Sequence, residues 1–190
     1  MTTSTPPRAL ALVGMPGAGK SLCAKHLASC GFFQYRFGSI VVNEVQRRGL
    51  PLTPENERVV REELRAQEGM DAIARRALPL LKSALESHPS IVIDGLYSWS
   101  EYRLLRRDLG ATMIVVAITS ARMLRYARLA NRDERPLTII EAERRDWQEI
   151  EMLEKGGPIA IADYTLVNDG EPEELLAQLD ALIERLGFRP

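Results

Sequence analysis

Five segments of the 190-residue chain are apolar or aromatic enough to form strands, and amphipathic segments separate them. The predicted strands cover 9–13, 32–37, 90–95, 112–118 and 164–167. The run from Ser90 to Gly95 is apolar up to its final acid, which is typical of a central parallel strand buried on both faces. Strands that alternate with helices predict an α/β fold of three layers, with helices on both faces of a five-stranded parallel sheet.

Turn and capping residues indicate where several predicted helices begin. Thr53 followed by Pro54 combines a capping hydroxyl with a residue whose φ is already fixed, so it predicts a helix start. Ser120 is expected to cap the helix after the fourth strand. Thr138, with Glu141 three residues later, predicts a capping box for the next helix.

The helices are distributed unevenly between the strands, which suggests two inserted regions. Two or three helices in succession at about 38–88 predict a helical cap between the second and third strands. A basic helix and its successor, at about 122–157, predict a lid. We expect a single domain over 8–190, preceded by a flexible leader at 1–7.

The stretch from Gly14 to Ser21 joins the first predicted strand to the first predicted helix. Its spacing is that of a P-loop, in which glycines let backbone N–H groups converge on a phosphate at a helix N-terminus. Lys20 would then reach the β- and γ-phosphates, and the Ser21 hydroxyl would ligate Mg²⁺. A Gly-rich turn that matches by chance is the weaker alternative. The expected nucleotide-binding residues here are Gly14, Met15, Pro16, Gly17, Ala18, Gly19, Lys20, Ser21 and Leu22.

Asp94 ends the third predicted strand in the manner of a Walker B acid. Such an acid helps to hold Mg²⁺ beside the P-loop serine, usually through water. In small-molecule kinases an acid here can also accept a hydrogen bond from the attacking group. The alternative is a strand-end residue that only caps the turn before Gly95. Because phosphate-bound Mg²⁺ needs anionic groups around it, the metal role is favoured.

Arginines recur every three or four residues after the fourth strand, along one face of the predicted helix. They are Arg122, Arg125, Arg128 and Arg132. Such a row is mutually repulsive unless an anion offsets it, so Arg128 and Arg132 are expected to close over the transferring phosphoryl group. The alternative is a solvated face paired with Glu134, Glu141 and Glu143. That alternative is preferred for Arg122 and Arg125.

The cap carries a second basic set, consisting of Arg47, Arg48, Arg58, Arg61 and Arg65. An acceptor with its own phosphate would need donors of this kind. Each arginine is weak evidence alone, since cap helices are charged in any case.

Composition limits the partners. With 25 basic and 26 acidic residues the formal net charge is −1, so nucleic acid and anionic membranes are not expected as partners. No apolar run approaches the roughly 18 residues of a membrane span, and the N-terminus lacks the pattern of a signal peptide. A cytoplasmic protein is therefore expected, as a monomer or a homodimer.

Cysteine and histidine give no sign of a metal site. Cys23 and Cys30 are seven positions apart on the first predicted helix, too far for an easy disulfide, and are expected to be reduced, packed thiols. His26 and His88 have no pattern of ligands around them. Each is therefore expected to be structural or exposed.

These residues together resemble a P-loop kinase of the nucleotide-kinase type. The chain is most similar to an archaeal and bacterial nucleotide-kinase-like family, often labelled as P-loop or AAA ATPases, which lies close to dephospho-CoA kinase and adenylate kinase. The resemblance runs from Leu10 to about Leu186. Its more specific motifs are Arg48-Gly49-Leu50, Thr53-Pro54-Glu55-Asn56, Leu64-Arg65 with Glu68-Gly69, Ile93-Asp94-Gly95, Arg132-Asp133, Ala162-Asp163-Tyr164 and Val167-Asn168-Asp169-Gly170.

The resemblance implies roles for the last loop and the cap. It places Asn168, Asp169 and Gly170 against adenine, and Arg128 and Arg132 around the ATP phosphates. It also places the acceptor in the cap, and the candidate contacts on this acceptor side are Ser39, Arg48, Arg65 and Tyr97. The chain departs from the family pattern on this side: Ser39 stands for an Asp, Val42 for an Arg and Tyr97 for an Arg.

The expected function is an ATP- and Mg²⁺-dependent phosphotransferase that acts on a nucleotide or nucleotide-like small molecule. Nucleoside monophosphate kinase-like activity is preferred, with dephospho-CoA kinase-like activity as an alternative. A nucleotide-binding regulator or slow ATPase that has lost its acceptor site is the other alternative, because Ser39, Val42 and Tyr97 depart from the pattern. A GTPase is less favoured because the chain lacks an Asn-Lys-x-Asp motif.

Overall fold

A computed structural model describes residues 8–133 and 135–190. Its sheet has five parallel strands in the order β2-β3-β1-β4-β5. The strands are β1 (Arg8–Val13), β2 (Phe33–Arg36), β3 (Ser90–Asp94), β4 (Thr112–Thr119) and β5 (Tyr164–Val167). The predicted α/β fold with a five-stranded parallel sheet is confirmed.

Helices connect these strands and cover both faces of the sheet. They are α1 (Lys20–Ser29), α2 (Gly38–Arg47), α3 (Pro54–Glu68), α4 (Ala72–Ser87), α5 (Trp99–Asp108), α6 (Arg122–Ala130), α7 (Ile139–Glu151), α8 (Gly156–Ala160) and α9 (Pro172–Leu186). The helices α2, α3 and α4 lie between β2 and β3, in the region predicted as the cap. The helices α6 and α7 lie in the region predicted as the lid.

Side chains of β1 alternate between two cores, as the pleat of a strand requires. Ala11 and Val13 face the core formed with α2 to α5. Leu10 and Leu12 face the core formed with α1 and α9. Because both faces of β1 are fully buried, this strand is fixed in register at the centre of the sheet.

The register of β1 and β3 fixes the position of the candidate site. Leu12 lies opposite Asp94, so the chain leaves β1 for Gly14 at the edge where β3 ends in its acid. Parallel strands place their carboxyl ends at one edge of the sheet, and ligands of open α/β sheets bind there.

One predicted helix cap was wrong. Ser120 does not cap α6: the N-cap residue is Ala121, and no side chain accepts a capping bond there. The Ser120 hydroxyl instead accepts a hydrogen bond from Arg128. Residues 156–160 form the short helix α8, which follows the end of α7 at Glu151. By contrast, the Thr138 and Glu141 capping box and the Thr53 cap are confirmed.

The cysteines are free, as predicted, but only one is packed: Cys23 is buried and Cys30 is exposed. The predicted leader at 1–7 and Glu134 lie outside the described residues. Among the helices that the structure describes, none combines the length and apolarity that crossing a bilayer requires.

Candidate active site

The loop from Gly14 to Lys20 packs against β4, α6 and the β5–α9 loop, and its closest contacts with them are at glycines, where a side chain would clash. Gly17 has a φ of 78°, and a Cβ there would lie 2.7 Å from the Arg125 carbonyl oxygen of α6. Gly19 has a φ of 110°, and its Cβ would lie 2.5 Å from Nδ2 of Asn168. A side chain at either position would both strain the backbone and push α6 or the β5–α9 loop away. Glycine at these two positions therefore lets the loop pack closely against α6 and the β5–α9 loop.

Lys20 begins α1 and folds back over the loop. Its Nζ donates hydrogen bonds to the carbonyl oxygens of Gly14 at 2.7 Å and Met15 at 3.1 Å. Burial and, to a smaller extent, the positive charge of Lys155 together lower the pKa of Lys20 to about 7. The loop thus surrounds an amine whose positive charge is poorly compensated, and an anionic ligand would stabilise that charge.

Asp94 and Ser21 supply the oxygen donors that Mg²⁺ prefers. Asp94 ends β3, where its carboxylate accepts a hydrogen bond from Nε2 of Gln34 at 3.2 Å. Burial raises the pKa of Asp94, although Arg36 and Lys20 act in the opposite direction. Ser21 is exposed in the first turn of α1, beside the same edge of the sheet. A serine hydroxyl from the start of α1 and a carboxylate from the end of β3 fit the donor set of a phosphate-bound magnesium ion.

Asn168 connects the β5–α9 loop to the P-loop. Its Nδ2 donates to the carbonyl oxygen of Ala18 at 2.8 Å, and its backbone N–H donates to Thr119 at 2.8 Å. Asp169 accepts a hydrogen bond from the backbone of Ala121 at 2.7 Å. The structure therefore places Asn168, the first residue of the predicted adenine loop, directly against the phosphate loop.

Arg128 holds the same loop from its other side. Its Nη1 donates to the carbonyl oxygen of Asn168 at 2.8 Å, and its Nη2 lies 3.3 Å from the carbonyl oxygen of Gly170. These bonds make Arg128 a brace of the β5–α9 loop in this conformation. Arg132 lies beyond the end of α6 and donates to the carbonyl oxygen of Arg135.

Arg125 is buried, so its predicted place on a solvated face was wrong. Its Nη1 donates to the carbonyl oxygen of Pro16 at 3.0 Å and to Asp146 of α7 at 3.0 Å. The hydroxyl of Tyr126 donates to the same carboxylate at 3.1 Å. The pair anchors α6 and α7 to the P-loop, and Arg122 remains exposed, as predicted.

Lys155 and Glu149 form a buried ion pair that the sequence did not reveal. The Lys155 side chain is 2% exposed, and its Nζ donates to the Glu149 carboxylate. The same Nζ lies 4.9 Å from the centre of the Tyr97 ring. Burial opposes ionisation of Glu149, but Lys155 lowers the pKa of that carboxyl. Because Tyr97 folds against Gly95, the pair lies beside the loop that follows Asp94.

A weak signal for this pair was present in the sequence. Ala142, Asp146 and Glu149 are spaced four and three residues apart, so they share one face of α7. Ala142 belongs to a buried cluster, which makes the two acids core-facing. Acids at core positions require buried cations, but the sequence alone does not identify Arg125 and Lys155 as those cations.

The predicted acceptor residues lie in three separate places. Tyr97 and Arg65 come together through Glu101, which accepts from the Tyr97 backbone at 2.8 Å and from Arg65 Nη2 at 3.3 Å. Arg48 lies elsewhere, paired with Glu44 and Glu63 in an ionic cluster between α2 and α3.

Ser39 makes a local bond on the acceptor side. Its hydroxyl donates to the carbonyl oxygen of Arg36 at 2.6 Å, at the start of α2. The hydroxyl therefore satisfies the backbone at the end of β2.

Arg65 is the most unusual residue of the acceptor side. It is 7% exposed, and its Nε and Nη1 atoms have no hydrogen-bond partner. Across 8–133 and 135–190, these are the only buried side-chain polar atoms in that condition. Arg61 lies one helical turn away, and the pKa of its guanidinium is lowered by burial and by Arg65. Unpartnered buried donors are costly, so an anion beside them would be stabilised.

The chain is similar to a known family model and to known proteins over most of its length. A family model described as an AAA domain matches residues 10–150. The UPF0200 protein of Thermococcus sibiricus is 33% identical over 183 residues, which cover 95% of this chain and 96% of that protein. The UPF0200 protein of Thermococcus gammatolerans is 37% identical over 178 residues, or 92% and 93% of the two chains. The chain belongs to the UPF0200 family.

Solved structures share the fold of this UPF0200 protein. TT1252 from Thermus thermophilus superimposes with a TM-score of 0.67 at 20% identity, covering 96% of this chain and 99% of that one. Shikimate kinase from Acinetobacter baumannii gives a TM-score of 0.57 at 18% identity, covering 98% and 97%. The predicted P-loop kinase-like fold is confirmed.

Proposed function

We propose that this UPF0200 protein is an ATP- and Mg²⁺-dependent small-molecule kinase of the nucleoside monophosphate kinase type. The observation that carries the proposal is the enclosed Lys20, whose amine lies inside a loop with glycine where a Cβ would clash with α6 or with the β5–α9 loop. A triphosphate would replace the carbonyl oxygens of Gly14 and Met15 as the partner of that amine. Such a ligand supplies the negative charge that the loop lacks.

In the donor half, the P-loop N–H groups would bind the phosphates and Lys20 would bridge the β- and γ-phosphoryl oxygens. Ser21 and Asp94 would hold Mg²⁺, which neutralises charge on the phosphates and orients the transferring group. Asn168, Asp169 and Gly170 would border the base. Arg128 holds these loop residues in place by donating hydrogen bonds to the carbonyl oxygens of Asn168 and Gly170.

In the transfer step, an acceptor oxygen bonds to the γ-phosphorus while the bond to the ADP oxygen breaks. The proton of an acceptor hydroxyl needs a base on the acceptor side. Asp94 suits this role because burial raises its pKa. Glu149 suits it less because Lys155 lowers the pKa of its carboxyl, which makes its carboxylate a weaker base.

The acceptor is proposed to carry its own anionic group. The free Nε and Nη1 atoms of Arg65 would donate to it, with Arg61 one turn away on the same helix. The carboxylates near these two guanidinium groups do not compensate both positive charges, so phosphate or another oxyanion suits the site. A nucleotide, the preferred acceptor, has such a group.

The test is ADP release with ATP and Mg²⁺ against nucleoside and deoxynucleoside monophosphates, dephospho-CoA and a no-acceptor control. One acceptor should stimulate release, and mass spectrometry should show its phosphorylated product. ATP binding without stimulation by any acceptor would favour the regulator or slow ATPase instead.

Variants test the acceptor side separately. Arg61→Gln and Arg65→Lys should raise the acceptor KM about tenfold or more while ATP affinity is kept, since one charge-assisted hydrogen bond contributes about 1.5–3 kcal/mol. Arg48→Gln is the matched control, because Arg48 is occupied by Glu44 and Glu63. Equal effects of all three variants would show that the cap arginines act only on folding.

A further inference from the structure

Three side chains that could ligate a metal meet on the face of the sheet where α1 packs against α9. His26 and Cys30 come from the end of α1, and Asp180 comes from α9. Nε2 of His26 lies 2.6 Å from Oδ1 of Asp180 and 3.8 Å from Sγ of Cys30. All three candidate donor atoms lie within 4.8 Å of one another. His26 and Cys30 were expected to have no such partners, and that expectation was wrong.

The spacing on α1 brings two of these donors onto one face. The backbone N–H of Cys30 still donates to the carbonyl oxygen of His26 at 3.0 Å, so the helical geometry extends to the cysteine. Residues four apart on a helix are neighbours on its surface. Asp180 lies 150 positions beyond Cys30 in the chain, which is why no local pattern shows the group.

The distances suit a small tetrahedral ion. With bonds of about 2.3 Å to sulfur and about 2.1 Å to nitrogen, a tetrahedral zinc site separates those two atoms by about 3.6 Å. The separation of 3.8 Å between Cys30 and His26 is close to this. The carboxylate must move away from Nε2 by somewhat less than 1 Å to reach a tetrahedral separation of about 3.3 Å. Asp180 is 57% exposed and has room to do so.

We propose that His26, Cys30 and Asp180 bind a Zn²⁺-like divalent ion, with water as the remaining ligand. The donor set decides the class of ion, since a thiolate beside an imidazole suits zinc or cobalt and does not suit Mg²⁺ or Ca²⁺. Cys30 binds as the thiolate and releases its proton to solvent. Bound metal would join the P-loop helix α1 to α9. This site is separate from the magnesium donors Ser21 and Asp94, and it does not depend on the proposed kinase activity.

The test is a titration of the reduced, metal-free protein with Co²⁺ alone. The wild type should gain a near-ultraviolet thiolate-to-cobalt absorption band that saturates at one equivalent and is removed by Zn²⁺. Cys30→Ala should lose the band. His26→Ala and Asp180→Asn should each weaken binding by at least about tenfold, since even outer contacts of a metal site cost this much.

Two control variants separate the site from the rest of the molecule. Cys23→Ala should keep the band, because Cys23 is buried and burial raises the pKa of its thiol to about 12. Lys20→Ala should also keep the cobalt band. Zn²⁺ should raise the Tm of Lys20→Ala as it raises the Tm of the wild type. No band in the wild type, a band that survives in Cys30→Ala, or binding unchanged in both His26→Ala and Asp180→Asn would overturn the proposal.

Discussion

The side-chain amide of Asn168 donates a hydrogen bond to the carbonyl oxygen of Ala18, and the two atoms are 2.8 Å apart. This bond joins the last loop of the sheet to the phosphate loop across 150 positions of sequence. The backbone carbonyl of Asn168 is in turn held by Arg128. Asn168 therefore fixes the conformation of the P-loop, and Arg128 fixes the position of Asn168.

Asn168→Ala should lower ATP affinity about tenfold, since one buried hydrogen bond contributes about 1 kcal/mol and Gly19 also loses its packing partner. Calorimetric titration with ATP and Mg²⁺ measures the change. Gln178→Ala is the control, because this exposed residue bonds to Val167 beside the same loop without touching the P-loop. Equal affinity of wild type and Asn168→Ala would contradict the bracing role.

ATP binding at pH 8 should take up nearly one proton. The pKa of free Lys20 is lowered to about 7, so most of its amine is neutral at pH 8. Bound phosphate raises that pKa again, and the amine then gains a proton. Titrations in buffers of different ionisation enthalpy measure the uptake. A binding enthalpy that is independent of the buffer at pH 8 would contradict this view of Lys20.

Lys155→Met should reduce that proton uptake. Among the charged neighbours of Lys20, Lys155 has the largest effect in lowering its pKa, so its removal raises the pKa of the free amine. Lys25→Met, which removes an exposed lysine of the same helix α1, should leave the uptake unchanged. Equal proton uptake by the two variants would show that the ion pair of Lys155 and Glu149 does not affect the pKa of Lys20.

Arg125→Met should destabilise the fold by about 3–5 kcal/mol, because it leaves the buried carboxylate of Asp146 without its cation. Combining Arg125→Met with Asp146→Leu should recover most of the free energy of unfolding, measured in urea. The recovered double variant should still bind ATP more weakly than wild type, since the Pro16 carbonyl has lost its donor. Additive losses in the two single variants would instead show that the pair is uncoupled.

Stability in acid should depend on Glu44. Hydrogen bonds from Arg47 and Arg48 lower the pKa of its carboxyl from 4.5 to about 2. A carboxyl with a depressed pKa stabilises the fold above its unfolded value near 4.5, and this contribution is lost as the pH falls towards 2.

Glu44→Gln should therefore cost on the order of 1–2 kcal/mol at pH 7 and flatten the pH dependence of unfolding between about 4.5 and 2. Glu62→Gln is the control, since Glu62 pairs with Arg58 at an exposed site. An unchanged acid profile in Glu44→Gln would show that the cluster around Arg47 and Arg48 contributes nothing.

Features encoded by adjacent residues could be predicted from the sequence. The P-loop depends on glycine spacing between a strand and a helix, and the Thr138 capping box depends on residues three apart. Both lie within a few residues, where backbone geometry decides the outcome. The strand Tyr164–Val167 was predicted with its observed bounds for the same reason.

Features that need distant partners could not be predicted. Arg125 was expected in solvent because the row of arginines gave no sign of Asp146 or of the P-loop carbonyl that it reaches. His26 and Cys30 lacked any visible partner until α9 brought Asp180 to them. Arg48 and Arg65 looked equivalent in sequence, yet one is occupied by two acids and the other retains unpaired donors. Burial and long-range pairing decide such roles, and local spacing does not encode them.

The most direct test of the central claim is calorimetric binding of ATP with Mg²⁺ to the wild type and to Lys20→Ala. We expect saturable binding of one ATP to the wild type, and a loss of affinity of at least about a hundredfold in Lys20→Ala, since a charge-assisted contact in an enclosed site contributes about 3 kcal/mol. Circular dichroism should show that the variant remains folded. Absence of ATP binding by the wild type, or equal binding by the two proteins, would contradict the account.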